Sequence, residues 1–344
     1  MKIQLAHKFE DIVSVENLLE AWKEFICGKK NKKDVQEFPL ALMDNIFSLH
    51  SDLFNHTYKH GGYQAFKIND PKPRDIHKAT VRDRLLHRAI YRILYPFFDK
   101  TFIADSYSCR NGKGTHKAIN QFRKYFYKVS QNNTRTCWVL KCDIRKFFAN
   151  IDHEILSGLL KEYIPDENII RLLENVIGSF ASTRAGVGLP LGNLTSQLFV
   201  NIYMNKFDQF VKHGLKAKYY IRYADDFVIL SENKKHLEDI LESIENFLHK
   251  ELKLELHSDK VSIETFSSGV DFLGMVNFSD HRILRTKTKR RMFKKLYLKH
   301  KLFQEGLIFK ESFSQSAQSC KGMLKHCMGY AMVGEIEKIE NEYS

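Results

Sequence analysis

The amino-acid sequence predicts an α+β fold, in which helices and strands alternate without the regular repeat of a doubly wound sheet. Apolar residues recur at helical spacing over residues 81–98 and 237–248. Strand-forming residues cluster over residues 137–143, and again at 219–223 and 227–230 on either side of an Asp-Asp pair. This second cluster predicts a β-hairpin that carries two adjacent carboxylates at its turn.

The N-terminal part of the chain is predicted to contain two helices followed by a hairpin or loop. One apolar face runs through residues 18–26 at helical spacing, and the polar stretch 28–34 ends that helix. A second helical pattern covers residues 42–49. The glycine pair at 61–62 then opens an extended segment, and the prolines that flank Lys72 favour a hairpin or loop with a basic tip.

The composition indicates a folded protein that binds a polyanion. Lys and Arg number 54 against 41 Asp and Glu in 344 residues, a formal net charge of +13. Hydrophobic residues make up 43% and aromatic residues 12%, which excludes a basic disordered tail. Nucleic acid is the first candidate for the polyanion, and an anionic membrane surface is the alternative.

The lack of a targeting signal and the pattern of cysteines favour a cytoplasmic protein, and no membrane partner is expected. No apolar run approaches the ~20 residues needed to span a bilayer, and residues 1–10 lack the apolar core of a signal peptide. The six cysteines are scattered and form no C-x-x-C pair. This pattern argues against a zinc site and suits reduced thiols.

A basic stretch near the C-terminus is predicted to grip a phosphate backbone. Residues 282–301 contain ten Lys or Arg and no Asp or Glu, with apolar residues at intervals between them. A solvated helix face normally mixes charge signs, so we interpret the stretch as a basic helix with an apolar seam. The residues predicted to contact nucleic acid are Arg290, Arg291, Lys294 and Lys295. Membrane-surface binding is the alternative.

Three aspartates are the candidate catalytic residues. Asp225 and Asp226 stand side by side between two apolar strands, where ordinary hairpin turns prefer Asn-Gly or Asp-Gly. Like charges this close raise each other's pKa unless a cation neutralises them, so a metal ion is the economical explanation. An exposed acidic turn is the alternative. Asp143, at the end of the strand over 137–143, adds a third carboxylate, and three carboxylates can hold two Mg²⁺ ions.

The order of these motifs resembles the palm of a reverse transcriptase. Asp143 is followed by Phe148 in the pattern D-x-x-x-x-F, then by a Gly-rich segment, then by Y-A-D-D at residues 223–226. The resemblance implies that Asp143 and Asp225 are the principal ligands of two Mg²⁺ ions, for which Mn²⁺ can substitute, and that Asp226 completes the triad. It also implies that Phe148 excludes a ribose 2′-hydroxyl.

The same resemblance implies roles for further residues between residue 66 and the C-terminus. The residues expected to contact the incoming nucleotide, besides Phe148, are Lys72, Arg74, Arg110, Leu191, Gly192 and Lys260. The residues expected to contact nucleic acid, besides those of the basic stretch, are Lys113, Gln197 and Tyr223. Residues 272–274 are expected to form the primer-grip hairpin before the thumb.

One segment indicates which subfamily of reverse transcriptases the chain resembles. Residues 188–197 have the sequence G-L-P-L-G-N-L-T-S-Q, and Leu191 stands where group II intron, retron and retroviral enzymes usually carry Gln. Intron and retron enzymes also usually end this motif in Ser-Pro. The segment resembles the reverse transcriptases of diversity-generating retroelements, as do residues 271–274 followed by the basic stretch. A Leu in place of Gln removes a polar contact that supports discrimination, so low fidelity is expected. The resemblance places the errors opposite template adenines.

The resemblance also implies a right-hand polymerase with fingers, palm and a short helical thumb, encoded by a bacterium or a phage. We expect an N-terminal extension and fingers over residues 1–136 and a palm over 137–280. A fingers segment returns within the palm at about 154–186, and residues 281–344 form the basic thumb. The implied partners are dNTPs, template RNA, the RNA–cDNA hybrid and a small basic accessory protein that can be oligomeric.

Two alternatives remain open from the sequence. Another bacterial reverse transcriptase, such as an antiphage-defence enzyme, would share the catalytic residues and differ in template and partner. A non-catalytic nucleic-acid-binding protein is disfavoured, because binding alone would not favour three buried carboxylates in register.

Overall fold

The computed structural model describes residues 3–69 and 73–341, and these residues form a mixed helical and sheet fold. The helices are α1 (Phe9–Val13), α2 (Val15–Ile26), α3 (Lys33–Gln36), α4 (Leu42–Phe54), α5 (Val81–Phe98), α6 (Thr115–Val129), α7 (His153–Lys161), α8 (Glu167–Gly178), α9 (Leu194–Gln209), α10 (Lys234–Leu252), α11 (Thr286–Gln304), α12 (Lys310–Leu324) and α13 (Tyr330–Asn341). The strands are β1 (Tyr63–Ile68), β2 (Arg74–Ala79), β3 (Trp138–Asp143), β4 (Tyr220–Tyr223), β5 (Asp226–Ser231), β6 (Ser262–Thr265), β7 (Val270–Phe272), β8 (Met275–Asn277) and β9 (Arg282–Leu284).

A four-stranded antiparallel sheet lies at the centre, in the order β4-β5-β3-β6. The predicted strand over 137–143 is β3, and the predicted hairpin around the Asp-Asp pair is formed by β4 and β5. Alternate side chains enter two different cores. Leu140 and Cys142 of β3 join the main core, whereas Val139 packs with α6 in a second one. Both faces of β3 are therefore covered by other elements.

Helices α5 and α9 pack together within the main core. α5 spans the residues predicted for it, and Thr80 caps its N-terminus by accepting a hydrogen bond from the Asp83 amide. α9 is buried around most of its circumference, which is the property of a helix enclosed by other elements.

The β1–β2 hairpin stands out from the main core, and most of its β1 residues are exposed. Two hydrogen bonds attach it to the segment that precedes α9. The amide of His77 donates to the carbonyl of Leu191 at 3.1 Å, and the Asn193 side chain donates to the carbonyl of His77 at 2.9 Å. Lys72, predicted at the basic tip of this hairpin, lies outside the described residues.

The C-terminal part contains the sheet β7-β8-β9 and the helices α11, α12 and α13. Leu284 of β9 and the three helices share a third core, whereas Val270 and Phe272 of β7 belong to the second core. The predicted single basic helix over 282–301 is wrong at its start. Residues Arg282–Leu284 form strand β9, which pairs with β8, and the helix begins at Thr286. Pairing with a strand already in place overrides local helical periodicity here. Within residues 3–69 and 73–341, no helix combines the length and the apolar character needed to cross a bilayer.

Candidate active site

The turn between β4 and β5 presents the adjacent carboxylates. Tyr223 pairs with Asp226 across the hairpin, so Ala224 and Asp225 form a two-residue turn. Ala224 has a φ of +56°, in the left-handed region where hairpin turns usually have glycine. A residue with a Cβ costs about 1–2 kcal/mol there. Two hydrogen bonds stabilise the turn: the amide of Ile144 donates to the carbonyl of Asp225 at 3.2 Å, and Arg222 donates to the carbonyl of Ala224 at 3.1 Å.

The pairing of β3 with β5 brings the third carboxylate to this turn. Asp143, the last residue of β3, lies opposite Asp226, the first residue of β5. Burial raises the pKa of Asp225, and the nearby Asp143 raises it further. Burial, followed by the charges of Asp225 and Asp143, raises the pKa of Asp226 to about 7. Upward shifts of this kind are the effect expected where carboxylates lie close together with little solvent around them.

Lys260 is the cation that the structure places against the carboxylates. Its Nζ forms an ion pair with Oδ1 of Asp143, and its charge also lowers the pKa of Asp225. Among residues 3–69 and 73–341, no group of three or more His, Cys, Asp or Glu side chains is arranged ready to hold a metal ion. The three carboxylates nevertheless fit divalent cations chemically, because they are hard oxygen donors whose mutual repulsion a cation would relieve. Their role as metal ligands stays a prediction.

A cavity of about 890 Å³ opens beside the turn, within the range of pockets that hold small molecules. The predicted site residues that line it are Arg74, Phe148, Leu191, Gly192, Gln197, Tyr223, Asp225 and Asp226. The positive charge of Arg74 lowers the pKa of Asp225. The structure therefore brings residues from β2, the β3–α7 connection, α9 with the segment before it, and the β4–β5 turn around one space.

Phe148 and Leu191 occupy defined positions in this cavity. Phe147 is 3% exposed and belongs to the main core, whereas Phe148 is half-buried and packs beside it edge to face. The amide of Leu189 donates to the carbonyl of Phe148 at 2.8 Å, which joins the two cavity-lining segments. The backbone of Leu191 is also held by the β1–β2 hairpin. Backbone hydrogen bonds therefore help to position the side chains of both Phe148 and Leu191.

Gly192 is required by its surroundings. It has a φ of +109°, and an added Cβ would lie 2.9 Å from Cγ2 of Ile76. A side chain at this position would therefore push the hairpin away from the cavity.

Several predicted residues do not line the cavity. Arg110 is 6% exposed in its side chain and donates to Asp99 and to the carbonyls of Ile103 and Ser106. Its donors are engaged in holding a loop, so this position gives no support to the predicted nucleotide contact. Lys113 donates to the carbonyl of Ala104 at 2.8 Å and also lies away from the cavity.

The predicted nucleic-acid contacts of the basic stretch lie on α11. Arg290, Lys294 and Lys295 are exposed and Arg291 is half-buried, while Met292, Phe293 and Leu296 form the apolar seam. None of the four predicted residues lines the active-site cavity in the described part of the chain.

A buried ion pair behind the turn was missed by the sequence interpretation. Asp208 and Arg222 are both 0% exposed, and two guanidinium nitrogens of Arg222 donate to the two carboxylate oxygens of Asp208 at 2.7 and 2.6 Å. Tyr220 donates to Oδ1 of Asp208 at 2.7 Å, and Arg222 also contacts Ser106 at 3.1 Å. The available signal was an Arg in an apolar strand and an Asp in an apolar helix, since buried charges are found in pairs.

His77, Phe180 and Ser182 also line the cavity and were not predicted. His77 and Phe180 contact each other edge to face, with ring centroids 4.7 Å apart. Their position depends on the approach of the β1–β2 hairpin to the α8–α9 connection, which no local pattern encodes.

Among solved structures, the fold is similar to that of telomerase from Candida albicans in complex with a fragment of telomeric RNA. The similarity has a TM-score of 0.51 and 11% sequence identity, and covers 83% of this chain and 61% of that one. It shows the fold alone, and it confirms the predicted polymerase fold class.

Curated relatives and a family model match the sequence itself. Protein YkfC of Escherichia coli K12 is 28% identical over 257 residues, covering 63% of this chain and 65% of YkfC. The group II intron-encoded protein LtrA of Lactococcus lactis is 26% identical over 292 residues, covering 65% of this chain and 47% of LtrA. The chain thus spans about half to two thirds of the length of these relatives. The model of the reverse transcriptase (RNA-dependent DNA polymerase) family matches residues 67–277, so this chain belongs to the reverse transcriptase family.

Proposed function

We propose that this chain is an RNA-directed DNA polymerase that adds deoxynucleotides to a primer 3′-hydroxyl. The observation that carries the proposal is the meeting of Asp143, Asp225 and Asp226 at the end of β3 and β5, beside a cavity large enough for a nucleotide. Family membership supports the reaction, and the position of the carboxylates supports the assignment of the catalytic residues.

Asp143, Asp225 and Asp226 would hold two divalent metal ions, Mg²⁺ or Mn²⁺. Such ions lower the pKa of the attacking hydroxyl and neutralise charge on the leaving pyrophosphate. In this proposal the protein supplies the remaining positive charge. Arg74 lines the cavity, and Lys260 lies against Asp143, so both side chains would contact the bound triphosphate.

The cavity walls would select the nucleotide. Phe148 would exclude a 2′-hydroxyl, because its half-buried ring has little freedom to move away. Leu191 would face the nascent base pair and offer only apolar contact, so a mispaired base would lose little relative to a correct one. Gln197 and Tyr223, which also line the cavity, would contact the template or primer.

A narrower proposal follows from the segment around Leu191. We infer error-prone cDNA synthesis in a diversity-generating retroelement, with template RNA and a small basic accessory protein as partners. The support is Leu191 itself and the Ser-Gln ending at residues 196–197. The similarity to LtrA supports a second candidate, a group II intron-like reverse transcriptase without mutagenic specialisation.

Primer extension on an RNA template tests the polymerase proposal. Asp225→Asn should abolish dNTP incorporation and leave RNA binding intact, because it removes a ligand charge without changing size. Asp44→Asn is the matched control, since Asp44 is exposed on α4. Chelation of divalent ions should stop the wild-type reaction, and added Mg²⁺ or Mn²⁺ should restore it. Full activity of the Asp225 variant would contradict the assignment.

Sequencing of the cDNA separates the two narrower candidates. A diversity-generating enzyme should misincorporate mainly opposite template adenines. Equal accuracy at all four template bases would favour the intron-like or defence-type alternative.

A further inference from the structure

The β1–β2 hairpin joins the rest of the fold through a cluster of buried polar side chains, which we call the root cluster. Its members lie just before β1, at the start of β1 and in the first two turns of α5; they are Tyr58, His60, Tyr63, Asp83 and His87. The side chains of His60 and Asp83 are 1% and 2% exposed. None of the five is among the described residues that line the active-site cavity.

Asp83 joins the two ends of the hairpin. Its Oδ2 accepts a hydrogen bond from the amide of Gly61, before β1, at 3.1 Å, and another from the hydroxyl of Thr80, after β2, at 2.6 Å. Its Oδ1 accepts from the hydroxyl of Tyr58 at 2.7 Å. A Cβ added at Gly61 would lie 2.8 Å from Oδ2 of Asp83 and 2.9 Å from Cγ2 of Thr80. The two chain ends are therefore in close contact, and one carboxylate sets their spacing.

His60 forms a second link between the hairpin and α5. Its Nδ1 lies 2.6 Å from the carbonyl of Gly61, which can only accept, so Nδ1 carries a proton. The same Nδ1 lies 3.8 Å from Oδ2 of Asp83, and Nε2 of His60 lies 3.2 Å from Nε2 of His87. Burial, followed by the charge of His60, lowers the pKa of His87 to about 3, so His87 is neutral. The contact between the two rings is therefore a hydrogen bond and not a repulsion between two cations.

Tyr63 connects the root cluster to a wall of the active-site cavity. Its hydroxyl lies 2.7 Å from Oγ of Ser179, and that serine donates its own proton to the carbonyl of Val176, so Tyr63 is the donor to Ser179. The Tyr63 ring also contacts Phe180 edge to face, with ring centroids 5.6 Å apart. Phe180 lines the active-site cavity and contacts His77 of β2. A displaced root would therefore move two walls of the cavity.

The hairpin transmits the position of its root to Arg74. Arg74 lines the active-site cavity and is the first of the six residues of β2, and Thr80 follows the last. A strand rises ~3.3 Å per residue, so Arg74 lies roughly 20 Å from the root, and a tilt of about 10° there would move it roughly 3 Å. Most side chains of β1 are exposed, so packing on that strand offers little resistance to a tilt.

Stability alone does not explain a buried carboxylate at the root of the hairpin. Apolar residues of similar volume often stabilise a buried site at least as well as charged groups do. A fully hydrogen-bonded network instead accepts one arrangement, because a displaced member leaves a buried donor or acceptor unpaired. The three donors to Asp83 come from both ends of the hairpin. The network therefore selects one position of the hairpin relative to α5.

We propose that Asp83 is a positioning residue, which holds the base of the β1–β2 hairpin so that Arg74 meets the triphosphate of the incoming nucleotide. His60 and Tyr63 support the same position through their contacts with α5 and with Ser179. The inference rests on the proposed polymerase function for the identity of the ligand. Asp83 acts through Arg74 and does not itself contact the nucleotide.

Steady-state primer extension with Asp83→Asn tests the proposal. The variant keeps the size of the side chain but offers one acceptor oxygen in place of two. KM for dNTP should rise about tenfold, whereas kcat should change much less, because a binding contact is lost and the carboxylates at the reacting centre are untouched. Binding of the RNA–DNA hybrid should not change. Thr80→Ser keeps the hydroxyl that donates to Asp83 and should retain the wild-type KM, whereas Thr80→Val should raise it.

A cycle of variants with Arg74→Ala tests whether Asp83 acts through Arg74. If it does, Asp83→Asn should raise KM little further once the guanidinium is absent. Leu49→Ala is the control for lost stability, because Leu49 is 0% exposed and lies on α4 in the main core, away from the hairpin. It should lower the fraction of active enzyme, measured by active-site titration, and leave KM for dNTP unchanged.

The outcomes separate positioning from a purely structural role. An unchanged KM in Asp83→Asn, the same rise in Leu49→Ala, or additive effects of Asp83→Asn and Arg74→Ala would overturn the proposal. If Asp83→Asn does not fold, Gly61→Ala takes its place, because the added Cβ separates the hairpin ends and leaves Asp83 intact; an unchanged KM there would overturn the proposal too. A raised KM in Arg74→Ala alone would remove the role of Asp83 and leave the polymerase function standing. No dNTP incorporation by the wild type would contradict the proposed function, and this role with it.

Discussion

We expect loss of the ion pair between Asp208 and Arg222 to lower both the free energy of unfolding and kcat, by two causes that variants can distinguish. Both side chains are completely buried, and two charge-assisted hydrogen bonds of 2.7 and 2.6 Å join them. Asp208→Asn keeps the size of the side chain but leaves the guanidinium charge without its counter-ion. Breaking a buried pair in this way costs about 3–5 kcal/mol in the free energy of unfolding.

The same guanidinium holds the β4–β5 turn, which carries two of the predicted catalytic aspartates. Arg222 donates to the carbonyl of Ala224, whose φ is already in the unfavourable left-handed region. We therefore expect Asp208→Asn to lower kcat for dNTP incorporation more than it changes KM for dNTP, because the turn loses its alignment and the cavity walls do not.

A double variant distinguishes these two effects. Asp208→Leu/Arg222→Met replaces both charges with apolar groups of similar size, which is often neutral or stabilising in buried positions. Stability should return only part of the way toward that of the wild type, because the buried hydroxyl of Tyr220 loses its acceptor. Activity should stay low, because the double variant has no guanidinium to donate to the carbonyl of Ala224. Urea unfolding followed by circular dichroism and steady-state primer extension measure the two quantities.

An exposed ion pair provides the control. Arg135 and Glu232 are 57% and 59% exposed in their side chains, and Glu232→Gln should change neither stability nor activity measurably. A loss below about 1 kcal/mol for Asp208→Asn would refute the reasoning from burial. Full activity of the double variant would show that Arg222 does not position the turn.

Three further predictions concern the nucleotide and nucleic-acid contacts. Phe148→Ala should raise the ratio of rNTP to dNTP incorporation, because the removed ring leaves room for a 2′-hydroxyl; an unchanged ratio in an active variant would assign the gate elsewhere. Leu191→Gln should lower errors opposite template adenine by roughly threefold to tenfold, the worth of one hydrogen bond of ~0.5–1.5 kcal/mol, as measured by cDNA sequencing; unaltered error rates would show that this side chain does not contact the base pair. The basic residues of α11 to be neutralised are Arg290, Arg291, Lys294 and Lys295. Their neutralisation should weaken binding of the RNA–DNA hybrid and reduce the log–log salt slope by ~0.7–0.9 for each lost phosphate contact. A loss of liposome binding alone would instead indicate that α11 binds a membrane surface.

Local patterns determined much of the fold. The helix α5 spans the residues predicted from its apolar spacing, and the strand β3 and the hairpin β4–β5 lie where strand-forming residues cluster. These elements could be predicted because helical and strand periodicity is a property of consecutive residues. The adjacent carboxylates of Asp225 and Asp226 could be predicted as a candidate site for the same reason, since the two residues are neighbours in the chain.

Contacts between distant segments were decided by the tertiary structure. Arg110 is engaged with Asp99 in a loop, although its motif predicted a nucleotide contact. Residues Arg282–Leu284 form a strand because β8 is available to pair with them. No spacing along the chain encodes either partner.

In the candidate site too, the residue types were predictable from the sequence, whereas their spatial arrangement depended on the tertiary structure. The sequence by itself predicted a shared role for Asp143, Asp225 and Asp226, because their residue types and order resemble those of a known family. Only the pairing of β3 with β5 set Asp143 opposite Asp226, and only the packing of α9 against β4 placed Asp208 beneath Arg222. The physical reason is that local periodicity acts between neighbours in the chain, whereas burial and charge pairing act between neighbours in space.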